Sequence, residues 1–272
     1  MTEAAPVGVT VLLPVHGEAP FLQEAIQSTL SQTLDCDWEL LVVFDRPDPS
    51  VRSEVLSTSD TRIRTVDAQG VGLVAALNTG LRQAKYPLLA RMDADDVMLP
   101  GRLTAQRNYL VSHAGVGVVG TQVEVIGASG ELLGVRKYPS LPVWVTVLMT
   151  FKNCLAHPSV MFWLQVAVNA GGYRIQFTGA EDYDLWLRIR RVAKIRNLAS
   201  MGLRYRVHEG QVTRSQKRQV IDATLAVQTS ALSLDGRGLA ARGMALVGRS
   251  GCLAIWLTRR LRLRLSASRG LV

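Results

Sequence analysis

Leu88-Leu89-Ala90-Arg91-Met92-Asp93-Ala94-Asp95-Asp96 is a mostly apolar run that opens without a break onto three carboxylates. Leu88 to Met92 has the length of a strand and lacks the polar alternation of a half-exposed one, which is how a strand covered on both faces reads. In a parallel sheet, ligands bind beyond the carboxyl ends of the strands, so these acids stand where a ligand is expected. The upstream sequence supplies the rest of such a sheet. Val7 to Pro14 reads as a first strand, followed by Phe21, Leu22, Ala25, Ile26, Thr29 and Leu30 at helical spacing after Pro20. Leu40 to Phe44 is a second strand ending at Asp45, because Pro47 and Pro49 cannot donate to a ladder. Ile63 to Val66 leads through Gly70 and Gly72 into a helix with Val74, Leu77, Leu81 and Ala84 inward. With right-handed crossovers, Asp45 and Asp93 fall on one sheet edge.

Beyond Pro100 the pattern is less regular. A helix is expected over Arg102 to Ser112, β-rich sequence from Val116 to Val135 with turns at Gly127 and Gly130, and a helix near Trp144. Ser159 to Phe162 reads as a strand and Gly171-Gly172 as a turn. Asp182 to Val192 reads as a helix with Leu185, Ile189 and Val192 inward, and short strands follow at Ile195 and Leu203. The expected class is α/β, a mixed and mostly parallel sheet flanked by helices.

The 272 residues, 48% of them hydrophobic, suffice for a packed core. Net charge is +9, but Gly236 to Val272 holds eight arginines and no acidic residue, which leaves 23 basic against 22 acidic residues elsewhere. The charge therefore resides in the tail. There Leu253, Leu257, Leu261 and Leu265 form a helical stripe beside Trp256, with Arg260 and Arg264 on a neighbouring face. Such a helix suits an anionic membrane surface, the alternatives being a helix packed on the main domain or a disordered basic end. Its apolar run is too short to span a bilayer. Nucleic acid is not expected as a partner, because no aromatic interleaving or binding module accompanies the charge. Cys36, Cys154 and Cys252 are odd in number and far apart, so they outline no disulfide framework. Met1 to Thr10 lacks a secretory pattern, and a cytoplasmic location is expected, with the tail peripheral on the inner face of the membrane.

Asp93 and Asp95 flank a small residue, so both carboxylates can converge on one hard divalent cation. An Asp-x-Asp turn alone also suits a solvated loop or a helix cap. The surrounding motifs bear on the choice. Val11-Leu12-Leu13-Pro14-Val15-His16, Phe44-Asp45, Ala76-Leu77-Asn78-Thr79-Gly80-Leu81, the segment Leu89 to Asp96, Arg102-Leu103 and Gln106 resemble, in order, the family 2 glycosyltransferases of GT-A fold. His157-Pro158-Ser159-Val160-Met161, Gly171-Gly172-Tyr173, Ala180 to Arg188 and Tyr205 to Val212 continue the resemblance to about Ser215.

The resemblance implies a domain over residues 1–215, with a nucleotide-binding half to residue 100 and an acceptor-binding half from 101, and a basic helical extension over 216–272. It implies an inverting transfer of sugar from a nucleotide-sugar donor, a UDP-sugar by expectation, to a hydroxyl of a glycan or lipid-linked acceptor. Pro14, Val15, Asp45, Asn78, Arg91, Asp93 and Ala94 would contact the nucleotide sugar, with Asp45 on the base. Phe44 replaces the first acid of the family's pair. Mg2+ or Mn2+ would be held by Asp93 and Asp95, with His208 as third ligand in place of an ordinary satisfied histidine. Asp182 would be the catalytic base, although an N-cap role suits its position too, and Glu181 and Asp184 are the alternatives if the register differs. Two rivals remain at this level. A nucleotidyltransferase would need more glycine than Pro14-Val15-His16-Gly17 offers for a triphosphate. A binding protein that had lost turnover would have little use for Asp93, Asp95 and Asp182 together.

Overall fold

A computed structural model describes residues 6–208 and the helix over 217–235, with side chains in that helix described for 218–230. The leucine and arginine stripe of 253–265 and Cys252 lie outside the described residues. Strands are β1 (Val9–Gly17), β2 (Trp38–Pro47), β3 (Ile63–Asp67), β4 (Leu88–Arg91), β5 (Val97–Met98), β6 (Val116–Ile126), β7 (Leu132–Arg136), β8 (Met161–Trp163) and β9 (Lys194–Arg206). Helices are α1 (Leu22–Leu30), α2 (Pro49–Ser57), α3 (Leu73–Gln83), α4 (Arg102–Ser112), α5 (Pro142–Leu148), α6 (Leu164–Asn169), α7 (Glu181–Ile189) and α8 (Lys217–Asp235).

The sheet runs β3-β2-β1-β4-β8-β6-β9-β5, with β7 paired to β6. The pairs joining β3, β2, β1 and β4 are parallel, as the apolar runs of the first hundred residues imply. Helices cover both faces, and the strand period of two sorts the core between them. Leu12, Leu41, Val43 and Leu89 pack toward α3 and α7. Their neighbours Val11, Leu13, Leu40, Val42, Leu88 and Ala90 pack toward α1, α2 and α4. α8 lies on the first of these layers, where Val227 is buried in its core and Gln228 Nε2 donates to the Phe151 carbonyl at 2.6 Å.

Several local expectations need correction. β2 does not stop at Asp45 but runs to Pro47, since a proline at the last strand position removes no needed donor. Pro49 then starts α2, a helix the prolines concealed, because proline is well suited to a first turn. Ile195 and Leu203 belong to one long strand, β9, which the mixed stretch between them, with no continuous apolar run, disguises. Ser159 sits in a 3₁₀ turn ahead of β8. α7 ends at Ile189, so Val192 lies beyond it and is 74% exposed. Among the described residues, no helix is long and apolar enough to cross a membrane.

Candidate active site

The carboxyl ends of β1, β2 and β4 meet at one edge. There the backbone leaves β4 at Arg91 and turns through Asp93, Ala94, Asp95 and Asp96 into β5. One oxygen from each of Asp93, Asp95 and Asp96 lies within 4.8 Å of the others. Hard oxygen donors at that spacing fit a divalent cation such as Mg2+ or Mn2+. Asp96 is fully buried. Its Oδ1 accepts from the Arg206 backbone N at 2.9 Å, while its Oδ2 has no hydrogen-bond partner among the described residues. Burial, then the charges of Asp93 and Asp95, push its carboxyl well above the usual range. Burial likewise raises Asp93, opposed by Arg91 and reinforced by Asp95 and Asp182. Like charges held this close, partly out of water, create a demand for a counter-cation.

Arg91 meets part of that demand. Its guanidinium, 2% exposed, pairs with Asp93, and although burial alone would lower its pKa, Asp93 keeps it raised. The Arg91 carbonyl is held in turn by Arg102 Nη2 at 2.8 Å, and Arg102 is braced by Gln106 at 3.0 Å. Arg206, at the end of β9, donates to the Asp95 carbonyl at 2.8 Å and stacks on Phe21 at 4.4 Å. These buried arginines fix the acidic turn from both sides. His208 reaches the cluster through Asp95, with Nε2 and Oδ2 3.1 Å apart, and rests edge-on against Phe21.

On the neighbouring strand ends, Pro14 and Val15 are buried in β1 opposite Val43 and Phe44. Asp45 is 4% exposed. Its Oδ2 accepts from the Gly72 backbone N at 2.9 Å and faces His16 Nδ1 at 3.2 Å. Gly72 has φ +91°, a conformation that favours glycine, so this bond anchors the start of α3. Arg46, with φ +52°, is the non-glycine residue in the left-handed region among those described, and such strain tends to collect at ligand edges. Ala94 lies half-buried within the acidic turn. Asn78 is oriented differently from the rest. Its Nδ2 donates to the Tyr173 carbonyl at 2.8 Å and its Oδ1 accepts from the Tyr173 backbone N at 2.9 Å, so the amide clamps the Gly171-Gly172 turn.

Asp182 lies in the first turn of α7. Its Oδ2 accepts from Asn153 Nδ2 at 2.7 Å and its Oδ1 from the Tyr183 backbone N at 2.7 Å. Burial raises its pKa against these two bonds, and its charge is near enough to Asp93 to raise that group in turn. Glu181 is buried, accepts from the Gly179 backbone N at 2.6 Å, and is pushed up to about 7 by burial and by Asp182. Asp184 is occupied by ion pairs to Arg174 and Arg188, which leaves it poorly placed to accept a proton from a ligand. His157 Nε2 meets the Tyr173 hydroxyl at 3.0 Å behind Arg91, and burial followed by the Arg91 charge holds the imidazole well below its ordinary pKa.

The structure brings Asp93 and Asp95 together with His208, and adds two residues the sequence reading did not assign to the site, Asp96 beside the pair and Asn153 on Asp182. A third acid next to an Asp-x-Asp pair is a visible signal. Asn153 carries none, since 29 residues, β8 and α6 separate it from its partner.

Comparison with known proteins agrees with this geometry. Residues 10–161 match the model of a family described as Glycosyl transferase family 2. The O-antigen biosynthesis glycosyltransferase WbnJ of Escherichia coli is 35% identical over 213 residues, which cover 76% of this chain and 82% of that one. Two solved structures share the fold at low identity. S. aureus TarS in complex with UDP-GlcNAc superposes with a TM-score of 0.62 at 14% identity, covering 92% of this chain and 78% of that chain. The mannosyltransferase PcManGT of Pyrobaculum calidifontis, in complex with GDP-Man and Mn2+, gives 0.57 at 17% identity, covering 95% and 84%.

Proposed function

The chain belongs to glycosyl transferase family 2 and has the GT-A fold, and from that premise we propose that it moves a sugar, with inversion, from a nucleotide-sugar donor to an acceptor hydroxyl during surface-polysaccharide or lipid-linked oligosaccharide assembly. The observation that carries the reading is the cluster of Asp93, Asp95 and Asp96 at the strand edge, one oxygen of each within 4.8 Å of the others, with the Asp182 charge among those that raise Asp93. The donor, a UDP-sugar in the first instance, would lie along the edge formed by Pro14, Val15, Asp45, Arg91, Asp93 and Ala94. Asp45 would face the nucleobase, and Asn78 would serve the donor by holding the Tyr173 turn in place. Asp93, Asp95 and Asp96 would hold Mg2+ or Mn2+, with His208 orienting or joining them through Asp95. Such a cation, when bound, neutralises charge that grows on the departing diphosphate. Arg91 adds a fixed positive charge on the same side.

Asp182 performs the proton transfer. The acceptor oxygen forms its bond to the anomeric carbon while the bond to the diphosphate breaks on the opposite face, and Asp182 takes the hydroxyl proton. Asn153 and the Tyr183 backbone N hold the carboxylate so that a lone pair stays directed at the acceptor. A single displacement inverts the anomeric centre and needs no covalent intermediate. The likeness to WbnJ supports a polysaccharide setting.

Calorimetric titration of nucleotide sugars, with and without Mn2+, tests the donor half. Affinity should require the cation, and Asp93→Asn should weaken cation-dependent binding at least about tenfold, the loss expected when a charged ligand becomes neutral. Equal binding by the variant, or binding indifferent to cation, would remove the cluster from the donor site.

A further inference from the structure

Helix α5 has an unusual composition for a surface helix. Pro142-Val143-Trp144-Val145-Thr146-Val147-Leu148 contains no charged residue, and it is apolar on both faces. Val145 and Met149 turn inward, each 1% exposed, and account for the contact with the body. The outward face is formed by Leu141, Val143, Trp144 and Val147, exposed by 60%, 61%, 53% and 41%. A helix that stabilised only the fold would need one apolar stripe, not two. The contiguous exposed face therefore marks a surface that meets something apolar.

The charge around this face identifies its occupant. From Leu132 to Ala180 there is no aspartate or glutamate, whereas Arg136, Lys137, Lys152 and Arg174 are present. Lys137 and Lys152 bracket α5 in the chain. The exposed tryptophan sits among aliphatic side chains, the pairing favoured at a membrane–water boundary. The region beyond α8 carries eight more arginines and no acid, and α8 is bonded to Phe151, just after α5. A basic tail folded back onto this basic surround would be repelled. A second copy docked face to face would likewise set Lys137 and Lys152 against their own counterparts.

We infer that the outer face of α5 inserts into an anionic lipid bilayer, with Val143 and Trp144 entering the boundary and the flanking lysines meeting lipid phosphates. This goes beyond the transfer reaction proposed above and does not depend on it. Its consequence is positional. The carbonyl of Met149, at the end of α5, accepts from the Tyr183 hydroxyl at 2.8 Å, and Asn153 follows to hold Asp182. The side of the cleft that would receive the acceptor is thereby turned toward the membrane, where a lipid-borne acceptor would present its sugar.

Flotation of the full-length protein with vesicles tests this. The unaltered protein should float with vesicles of phosphatidylglycerol mixed with phosphatidylcholine and much less with phosphatidylcholine alone. Combined Val143→Glu and Trp144→Glu should lower the floated fraction at least about tenfold, since two apolar anchors become anions facing an anionic surface. Trp144→Ala alone should give an intermediate loss. Cation-dependent donor binding in solution, unchanged in these variants, would show that they remain folded. The parallel tail variant, Arg260→Glu with Arg264→Glu, should retain part of the binding. Undiminished flotation of the α5 double variant would overturn the assignment, as would absence of flotation with either vesicle. Self-association of the unaltered protein that the double variant abolishes would overturn it too, by making the face a contact between copies.

Discussion

Glu181 and Asp182 are adjacent acids whose surroundings set them different tasks. Glu181, 6% exposed, is pushed up to about 7, so at mildly acidic pH it stays neutral beside an Asp182 that must be ionised to take a proton. A carboxyl raised from 4.5 to about 7 on folding costs nothing below 4.5, costs more as pH rises through that window, and reaches its full cost above it. Glu181→Gln keeps an acceptor for the Gly179 N–H and removes the ionisation. It should therefore raise thermal stability more at pH 8 than at pH 5, by up to about 3 kcal/mol at the alkaline end. Melting curves at the two pH values check this, and an equal shift at both would contradict it. The acids that sequence alone picked out are those with a local pattern, Asp93 with Asp95 and the run Glu181, Asp182 and Asp184. What it left undecided was which member of the run faces the cleft. That depends on Arg174 and Arg188 capturing Asp184, a pairing made through folding.

At the scale of elements, the strand-turn transition after β4 was legible because a buried strand and an acidic turn are both compositional signals. β9 was not, since its middle residues alternate with no apolar run to mark it. The Gly171-Gly172 turn was visible as two glycines, with φ +86° and +64°, but its attachment to α3 through Asn78 was hidden by the 95 residues between them. Because Nδ2 and Oδ1 of the Asn78 amide both serve the Tyr173 backbone, Asn78→Ala strands a part-buried donor and acceptor together. Stability should fall by about 2 to 3 kcal/mol. Denaturant titration measures this, and a residue that served only to contact a ligand would leave the midpoint unchanged. The same substitution should loosen Tyr173 from His157, behind Arg91.

At the scale of the whole molecule, the α/β class followed from apolar periodicity alone, and the family from motifs placed in one order along the chain. Folding adds the convergence: β4, β9 and α7 are far apart in sequence and deliver their acids and arginines to one edge of the sheet. The nearly neutral body and arginine-rich end also divide the labour, leaving the cleft governed by local charges and not by the net +9. The most direct test of the account compares Asp182→Asn with the unaltered enzyme in two assays on the same preparation: cation-dependent nucleotide-sugar binding and sugar transfer to acceptor. Donor affinity should be unchanged while the transfer rate falls about a thousandfold, within the range for loss of a general base. Full turnover in the Asp182→Asn protein, with donor binding intact, would contradict the central claim that this carboxylate removes the acceptor's proton.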